Sequence, residues 1–226
     1  MRNTETGMAL IVCTLAMLLL MALGAALVLA TSTETLIAGN FRTAHEGRYA
    51  AAAALERAIA DLPAVPDWSL ILDGRAQSGF VDGPPRGVRT LADGRALDLT
   101  QIVNLANCGR VTVCTDGQMD GVTIERPWGA NNPRWRLYAY GPLGALLAPG
   151  VITSLQYVLV LVADDQAETD GNPLVDGSDQ RNPGSGVVVL RGESFGPKGA
   201  HRGFEATVAR GLLATRVVSW RDLSPP

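Results

Sequence analysis

The chain has 226 residues, 47% of them apolar and only 18% charged, with a formal net charge of −3. This length fits one domain with an appendage, and the positive mean hydropathy argues against a disordered chain. Nucleic-acid binding needs a basic surface, so the charge balance excludes nucleic acid as a partner. The apolar residues are concentrated at the start, because no charged residue occurs between Gly7 and Thr33.

The run Met8–Ala30, MALIVCTLAMLLLMALGAALVLA, predicts a membrane-spanning helix, because about 20 apolar residues cross a hydrocarbon core of about 30 Å. A signal peptide has a shorter apolar region of about 7–15 residues, and a buried core helix of this length would be rare in so short a chain. The residues before the run carry one Arg and one Glu, which gives almost no orientation signal. Long polar segments translocate largely regardless of charge, so we expect the remainder to lie outside the cytoplasm.

A narrow alanine-rich stripe predicts that the helix continues beyond the apolar run. Its members recur at steps of three and four, with Arg48 in the one gap: Phe41, Ala44, Ala51, Leu55, Ala58 and Leu62. Pro63 and Pro66 are expected to end the helix, which would then be about 80 Å long. We expect the helix to bend or fray at three glycines: Gly24, Gly39 and Gly47.

These segments resemble a known family. The short polar leader ending in Gly7, followed by MALIVCTLAMLLLMALG, is similar to the N-terminus of type IV prepilins. The stretch LVLATSTETLIAGNFRTAHEGRYAAAAALERAIADL resembles PilX-type minor pilins, and VVVLRGESFGPKGAHRGFEATVAR resembles their closing strands. The resemblance implies a non-enzymatic subunit that helps to prime assembly of a type IV pilus and is incorporated in or near its tip, where its head caps neighbours or presents an adhesive surface.

The resemblance also implies processing at the N-terminus. A prepilin peptidase would cut after Gly7 and methylate the new N-terminus at Met8. Val12 then occupies the fifth mature position, where major pilins carry a glutamate thought to pair with a neighbour's N-terminal amine. An unpaired carboxylate is costly in lipid, so valine favours a priming or tip role; the alternative is that Val12 merely faces lipid.

The resulting domain organisation has four parts: residues 1–7, a prepilin leader; 8–30, the membrane and pilus-core half of the helix; 31–62, the amphipathic half packed on the head; and 63–226, a periplasmic globular head. The resemblance implies a single-pass inner-membrane protein that later reaches the pilus and the cell surface. Its partners would be prepilin peptidase, membrane lipid before assembly, other minor pilins and the major pilin. Two alternatives remain: a minor pseudopilin of a type II secretion system, and a membrane-anchored periplasmic binding protein or enzyme.

The head combines one predicted short helix with several short strands. The helix covers 98–108, after a loop or short-hairpin region at 73–96 that is rich in Gly, Pro and Asp. Strand candidates, chosen for β-branched or alternating sequence, are 121–125, 134–140, 154–164, 186–195 and 204–220. Consecutive strands with short connections favour an antiparallel meander. The predicted fold class is therefore α+β and pilin-like, with a long N-terminal helix packed on an antiparallel sheet.

Two cysteines bracket a short loop in the head. Cys108 and Cys114 enclose the sequence CGRVTVC, a spacing that suits a local disulfide in an oxidising compartment. A metal site would need further cysteines or a nearby histidine, and neither His45 nor His201 is close in sequence. Cys13 lies in the apolar run, where an isolated thiol acts as a small apolar residue.

One segment matches the spacing of a nucleophile elbow. Gly192, Ser194 and Gly196 fit Gly-x-Ser-x-Gly, but the elbow requires a helix after the serine, and PKGAHRGF predicts a turn and a strand. We therefore interpret Ser194 as a strand residue. No catalytic residues are predicted.

An acidic loop near the third quarter of the chain is a candidate calcium site. Calcium prefers six to eight oxygen ligands, often from one flexible acidic loop. The segment ADDQAETDGNPLVDGSDQ offers seven such side chains: Asp164, Asp165, Glu168, Asp170, Asn172, Asp176 and Asp179. The EF-hand pattern is not met, and a solvated loop between two strands would have the same composition.

Overall fold

The computed structural model describes residues 5–147, 150–151, 153–168, 170–177, 184–211 and 214–223. The chain divides into two compact units, which meet in sequence between Thr43 and Ala44. The first unit is helical. The second, called the head below, contains the end of that helix and all of the strands.

The helices and strands alternate irregularly along the chain. In order they are α1 Glu5–Asp61, a 3₁₀ turn Leu62–Ala64, α2 Ser69–Leu72, β1 Val88–Thr90, β2 Ala96–Asp98, α3 Leu99–Cys108, α4 Asp116–Met119, β3 Arg136–Pro142, β4 Tyr157–Asp164, β5 Val187–Phe195, β6 His201–Arg210 and β7 Thr215–Asp222. Short 3₁₀ turns also occur at Gly129–Asn131, Leu143–Ala145 and Pro197–Gly199.

The C-terminal part of α1 buries one narrow stripe in the head. The spacing between successive buried residues is alternately three and one, which places them on a single face of a helix. They are Gly47, Ala50, Ala51, Ala54, Leu55, Ala58 and Ile59, followed by Leu62 in the 3₁₀ turn. The predicted stripe is confirmed from Ala51 onward and widened by its neighbours. Phe41, which the periodicity also assigned to this stripe, is instead exposed. The helix ends before Pro63, as predicted.

Strands β3 to β7 form one antiparallel sheet in which spatial order follows chain order, as the predicted meander requires. Strand β4 is buried at all eight positions, so both faces of the sheet centre are covered. One face packs on α1 and α2 through residues such as Val160, Leu190 and Ala206. The opposite face packs on α3 and on β2 of the β1–β2 hairpin through Leu159, Leu161 and their neighbours. The head therefore has three layers, with the sheet in the middle.

The predicted strand at 121–125 is wrong. These residues form irregular structure, and Val122 and Ile124 are 70% and 95% exposed. Their loop is held by polar side chains instead of a sheet: Asn132 is fully buried and donates to the carbonyls of Met119 and Gly121 at 2.9 and 3.0 Å. A β-branched sequence alone therefore does not make a strand, because strand propensity depends strongly on context.

Two further expectations need correction. The predicted strand 204–220 is two strands, β6 and β7, that pair with each other. The helix does not fray at Gly24, Gly39 or Gly47, because α1 is continuous through all three, and bending at these glycines stays a prediction. At Gly47 the reason is packing: an added Cβ would lie 3.2 Å from the Ser194 hydroxyl oxygen, so glycine permits close approach of helix and strand.

Candidate functional site

The described part of the first unit is a single stretch of α1, which is apolar and exposed. Every residue from Gly7 to Arg42 is exposed, and the helix is long and apolar enough to cross a membrane. The predicted processing residues Gly7 and Met8 lie inside α1, and the side chain of Val12 is 60% exposed. Cys13 is a free, exposed thiol.

The hydroxyl groups of this helix bond to its own backbone. Thr14 donates to the Ile11 carbonyl, and Thr31 donates to the Leu27 carbonyl, each at 2.9 Å. Ser32, Thr33 and Thr35 make equivalent bonds three or four residues back. In hydrocarbon an unsatisfied polar group costs several kcal/mol. The pattern therefore suits a helix that enters an apolar environment.

Within the head, three polar contacts join the start of the buried part of α1 to the sheet and its loops. Ser154 donates to Glu46 Oε1 at 2.5 Å, and Ser194 donates to the Gly47 carbonyl at 2.7 Å. Arg48 and Asp222 form an ion pair at 3.0 Å. Together these contacts fix the position of α1 along the sheet.

Ser194 is a structural residue. It is fully buried, and its hydroxyl donates to the backbone of α1. His201 instead contacts Glu193 at 3.0 Å and stacks on Phe195. The sequence pattern around Ser194 therefore has the spacing of a nucleophile elbow without its chemistry.

The predicted disulfide is confirmed, because Cys108 and Cys114 are bonded to each other. Helix α3 ends at Cys108 with Gly109 in the left-handed conformation, φ 69°, where glycine has no steric cost. Thr115 and Gln118 then form a capping box at the start of α4. The disulfide thus ties the end of α3 to the cap of α4.

The structure describes six of the seven predicted calcium ligands in the acidic loop. The described residues contain no group of three or more acidic, histidine or cysteine side chains placed to hold a metal ion. Asp170 accepts from the backbone of Asn172 at 2.7 Å, and Asp176 accepts from the backbone of Gly186 at 2.6 Å. Asp179 lies outside the described residues. Calcium binding stays a prediction.

Two carboxyl groups of this loop are deeply buried. Asp164 and Glu168 are only 4% and 2% exposed, and a hydrogen bond joins their side chains. Burial, followed by the nearby charges of Glu168 and Asp176, raises the pKa of Asp164 to about 8. Burial also raises the pKa of Glu168, Asp165 and Asp176. Asp164 therefore holds a proton near neutral pH and donates it to Glu168.

A cavity of about 480 Å³ lies on the sheet face opposite the buried part of α1 and was not predicted from the sequence. Its walls come from α3, from the loop 118–135 and from strands β5 to β7. We call it the arginine cavity, because three arginines line it beside two tryptophans and a glutamate: Arg126, Arg191, Arg221, Trp128, Trp135 and Glu205. These residues are up to 95 positions apart, counting from Arg126 to Arg221, so no local pattern could have shown it.

Comparison of the chain with protein-family models, with curated proteins and with solved structures finds no match.

Proposed function

We propose that this chain is a PilX-type minor pilin that helps to prime a type IV pilus and is incorporated in or near its tip. The observation that carries the proposal is the character of α1. Its first part is free of charge from Gly7 to Thr33 and exposed throughout. Its last part buries an alanine-rich stripe in an antiparallel head. A helix with these two halves serves both as a membrane anchor and as a subunit contact.

The proposed mechanism is mechanical. Before assembly the apolar part of α1 lies in the inner membrane, with the head in the periplasm, where a disulfide such as Cys108–Cys114 persists. During assembly the same surface leaves lipid and packs among the helices of other minor pilins and the major pilin. Small residues such as Ala22, Gly24 and Ala25 permit close helix approach.

Val12 supports a place at the start or tip of the fibre. A carboxylate at this depth would need a partner cation, and a bulk subunit finds one in the terminal amine of its neighbour. An exposed valine has no such requirement. The proposed role is non-enzymatic, and the buried, backbone-bonded state of Ser194 supports it.

N-terminal processing tests this proposal. Expressed with an active prepilin peptidase, the full chain is expected to lose seven residues and to begin with methylated Met8, as read by intact-protein mass spectrometry. Gly7→Leu is expected to block the cleavage. Gly24→Leu is the matched control, because neither glycine has a neighbouring atom within 4 Å of an added Cβ and both changes leave packing in the described chain undisturbed.

An intact leader in cells with active peptidase would contradict the proposal, as would equal cleavage of the Gly7 variant. The pseudopilin alternative predicts the same cleavage. Deletion of the gene separates the two, because loss of pili supports the minor pilin and loss of enzyme secretion with normal pili supports the pseudopilin.

A further inference from the structure

The arginine cavity holds more positive than negative charge. Glu205 is shared by two of its arginines: its Oε2 lies 3.3 Å from Arg191 Nη2, and its Oε1 lies 2.7 Å from Arg221 Nη2. The other acidic lining residue, Glu125, is exposed. Three arginines and two glutamates therefore line the cavity, and among the described residues the ion pairs of Glu205 reach only Arg191 and Arg221.

Arg126 is the source of the excess charge. Its Nη atoms donate to three neutral acceptors, the carbonyls of Ala106, Met119 and Pro133, at 2.9 to 3.1 Å. Among the described residues, no carboxylate lies within ion-pair distance of it. Burial lowers the pKa of Arg126, and the nearby charges of Arg134 and Arg191 lower it further, while the charge of Asp120, which is ion-paired to Arg134, partly opposes them. A carboxylate entering the cavity would relieve this strain, because arginine pairs favourably with that group.

The remaining lining suits a ring that carries hydroxyl groups. Trp128 lines the cavity and is 41% exposed, so its indole is accessible to a ligand, whereas Trp135 is 4% exposed and covered by the Arg191 guanidinium at 4.6 Å. Gln118, Gln166 and Thr123 also line the cavity and supply both donors and acceptors. Its volume falls within the usual range for small-molecule sites, about 300–1,000 Å³.

We propose that the arginine cavity binds a carboxylate-bearing sugar, such as a uronic acid unit of an acidic saccharide. The carboxylate lies beside Arg126 and Arg191, the apolar face of the ring stacks on Trp128, and the hydroxyl groups meet the glutamine amides. This site is on the sheet face opposite the buried part of α1. Saccharide binding there does not depend on the proposed assembly of the subunit into a pilus.

Ligand-observed NMR on the full chain in detergent micelles tests the proposal with three probes: galacturonic acid, galactose and inorganic phosphate. Galacturonic acid is expected to bind, and galactose and phosphate to bind at least about tenfold more weakly, since each lacks either the charge or the ring. Raising the salt concentration is expected to weaken galacturonic acid binding.

Two variants locate the site. Trp128→Ala is expected to weaken galacturonic acid binding by about three- to tenfold, the usual range for loss of a ring contact. Trp220→Ala is the matched control, because Trp220 is 39% exposed but lies on the α1 side of the sheet, against Phe204. Arg221→Gln, a change at an exposed position, is expected to weaken binding as well.

The proposal fails if galacturonic acid does not bind, or if Trp128→Ala and Trp220→Ala change its binding equally. It also fails if phosphate binds as tightly as galacturonic acid, because the cavity would then be a general anion site without a place for the ring.

Discussion

Gly192 of β5 packs closely against α1, and its substitution tests how the head is packed. An added Cβ at Gly192 would lie 2.5 Å from Leu55 Cγ and 2.9 Å from the Ala51 carbonyl oxygen. Ordinary carbon–carbon contacts are about 3.5–4.0 Å. In Gly192→Ala, Leu55 or the whole helix must therefore move by about 1 Å.

Little room exists for that movement. Leu55 and Ala51 are both fully buried, and α1 is also fixed by the hydrogen bond from Ser194 to Gly47. Overpacking of a filled core lowers the free energy of unfolding by about 1–3 kcal/mol. We expect Gly192→Ala to lower it by about 3 kcal/mol. For a domain of this size the melting temperature should fall by about 6–12 °C.

Gly203→Ala is the control for this experiment. Gly203 is a buried glycine of the adjacent strand β6, but an added Cβ there would lie 3.6 Å from its nearest neighbour, Leu223 Cβ. We expect Gly203→Ala to change the free energy of unfolding by less than about 1 kcal/mol. Urea titration of the detergent-solubilised chain, followed by tryptophan fluorescence, measures both variants against the wild type. Equal stabilities for Gly192→Ala and Gly203→Ala would refute the packing described for α1.

Two further predictions concern the buried carboxyl pair and the disulfide. Because the pKa of Asp164 is raised in the folded head to about 8, the folded state binds an extra proton between about pH 4 and 8, so stability is greatest at acid pH and falls as pH rises through that window. The free energy of unfolding is expected to fall by about 3 kcal/mol between pH 5.5 and 8. Asp164→Asn should remove most of this pH dependence, as measured by urea titrations at the two pH values. An unchanged pH dependence would show that another group is responsible. Replacing Cys108 and Cys114 together by serine opens a short loop and is expected to cost about 2 kcal/mol of unfolding free energy. An unaltered urea midpoint would contradict this.

The meander and the long helix were predictable because both have a periodic sequence signal. The alternation and β-branched residues of Val187–Phe195, for example, indicate a strand whatever its neighbours are. The β1–β2 hairpin and α3 were also indicated by local signals, such as Asp98 at the helix cap.

What could not be predicted depends on contacts between distant residues. The sequence GVTIE is typical of a strand, yet Asn132 holds its loop away from the sheet. The arginine cavity joins Arg126 to strand residues beyond position 190, and only the register of the sheet brings them together. The same is true of Gly47, whose closeness to Ser194 follows from a pairing across 147 positions.

The contact between Gly47 and Ser194 has a consequence for the order in which the head folds. The strands of the sheet pair with their neighbours in sequence and can form successively, but the alanine stripe of α1 must wait for β4, β5 and β6. A growing chain is synthesised from its N-terminus, so the last residue of this stripe, Leu62, is made 95 residues before β4 begins at Tyr157. Until β5 has been synthesised, the apolar side chains of the alanine stripe stay exposed to solvent, although this stripe is the first part of the head to be made.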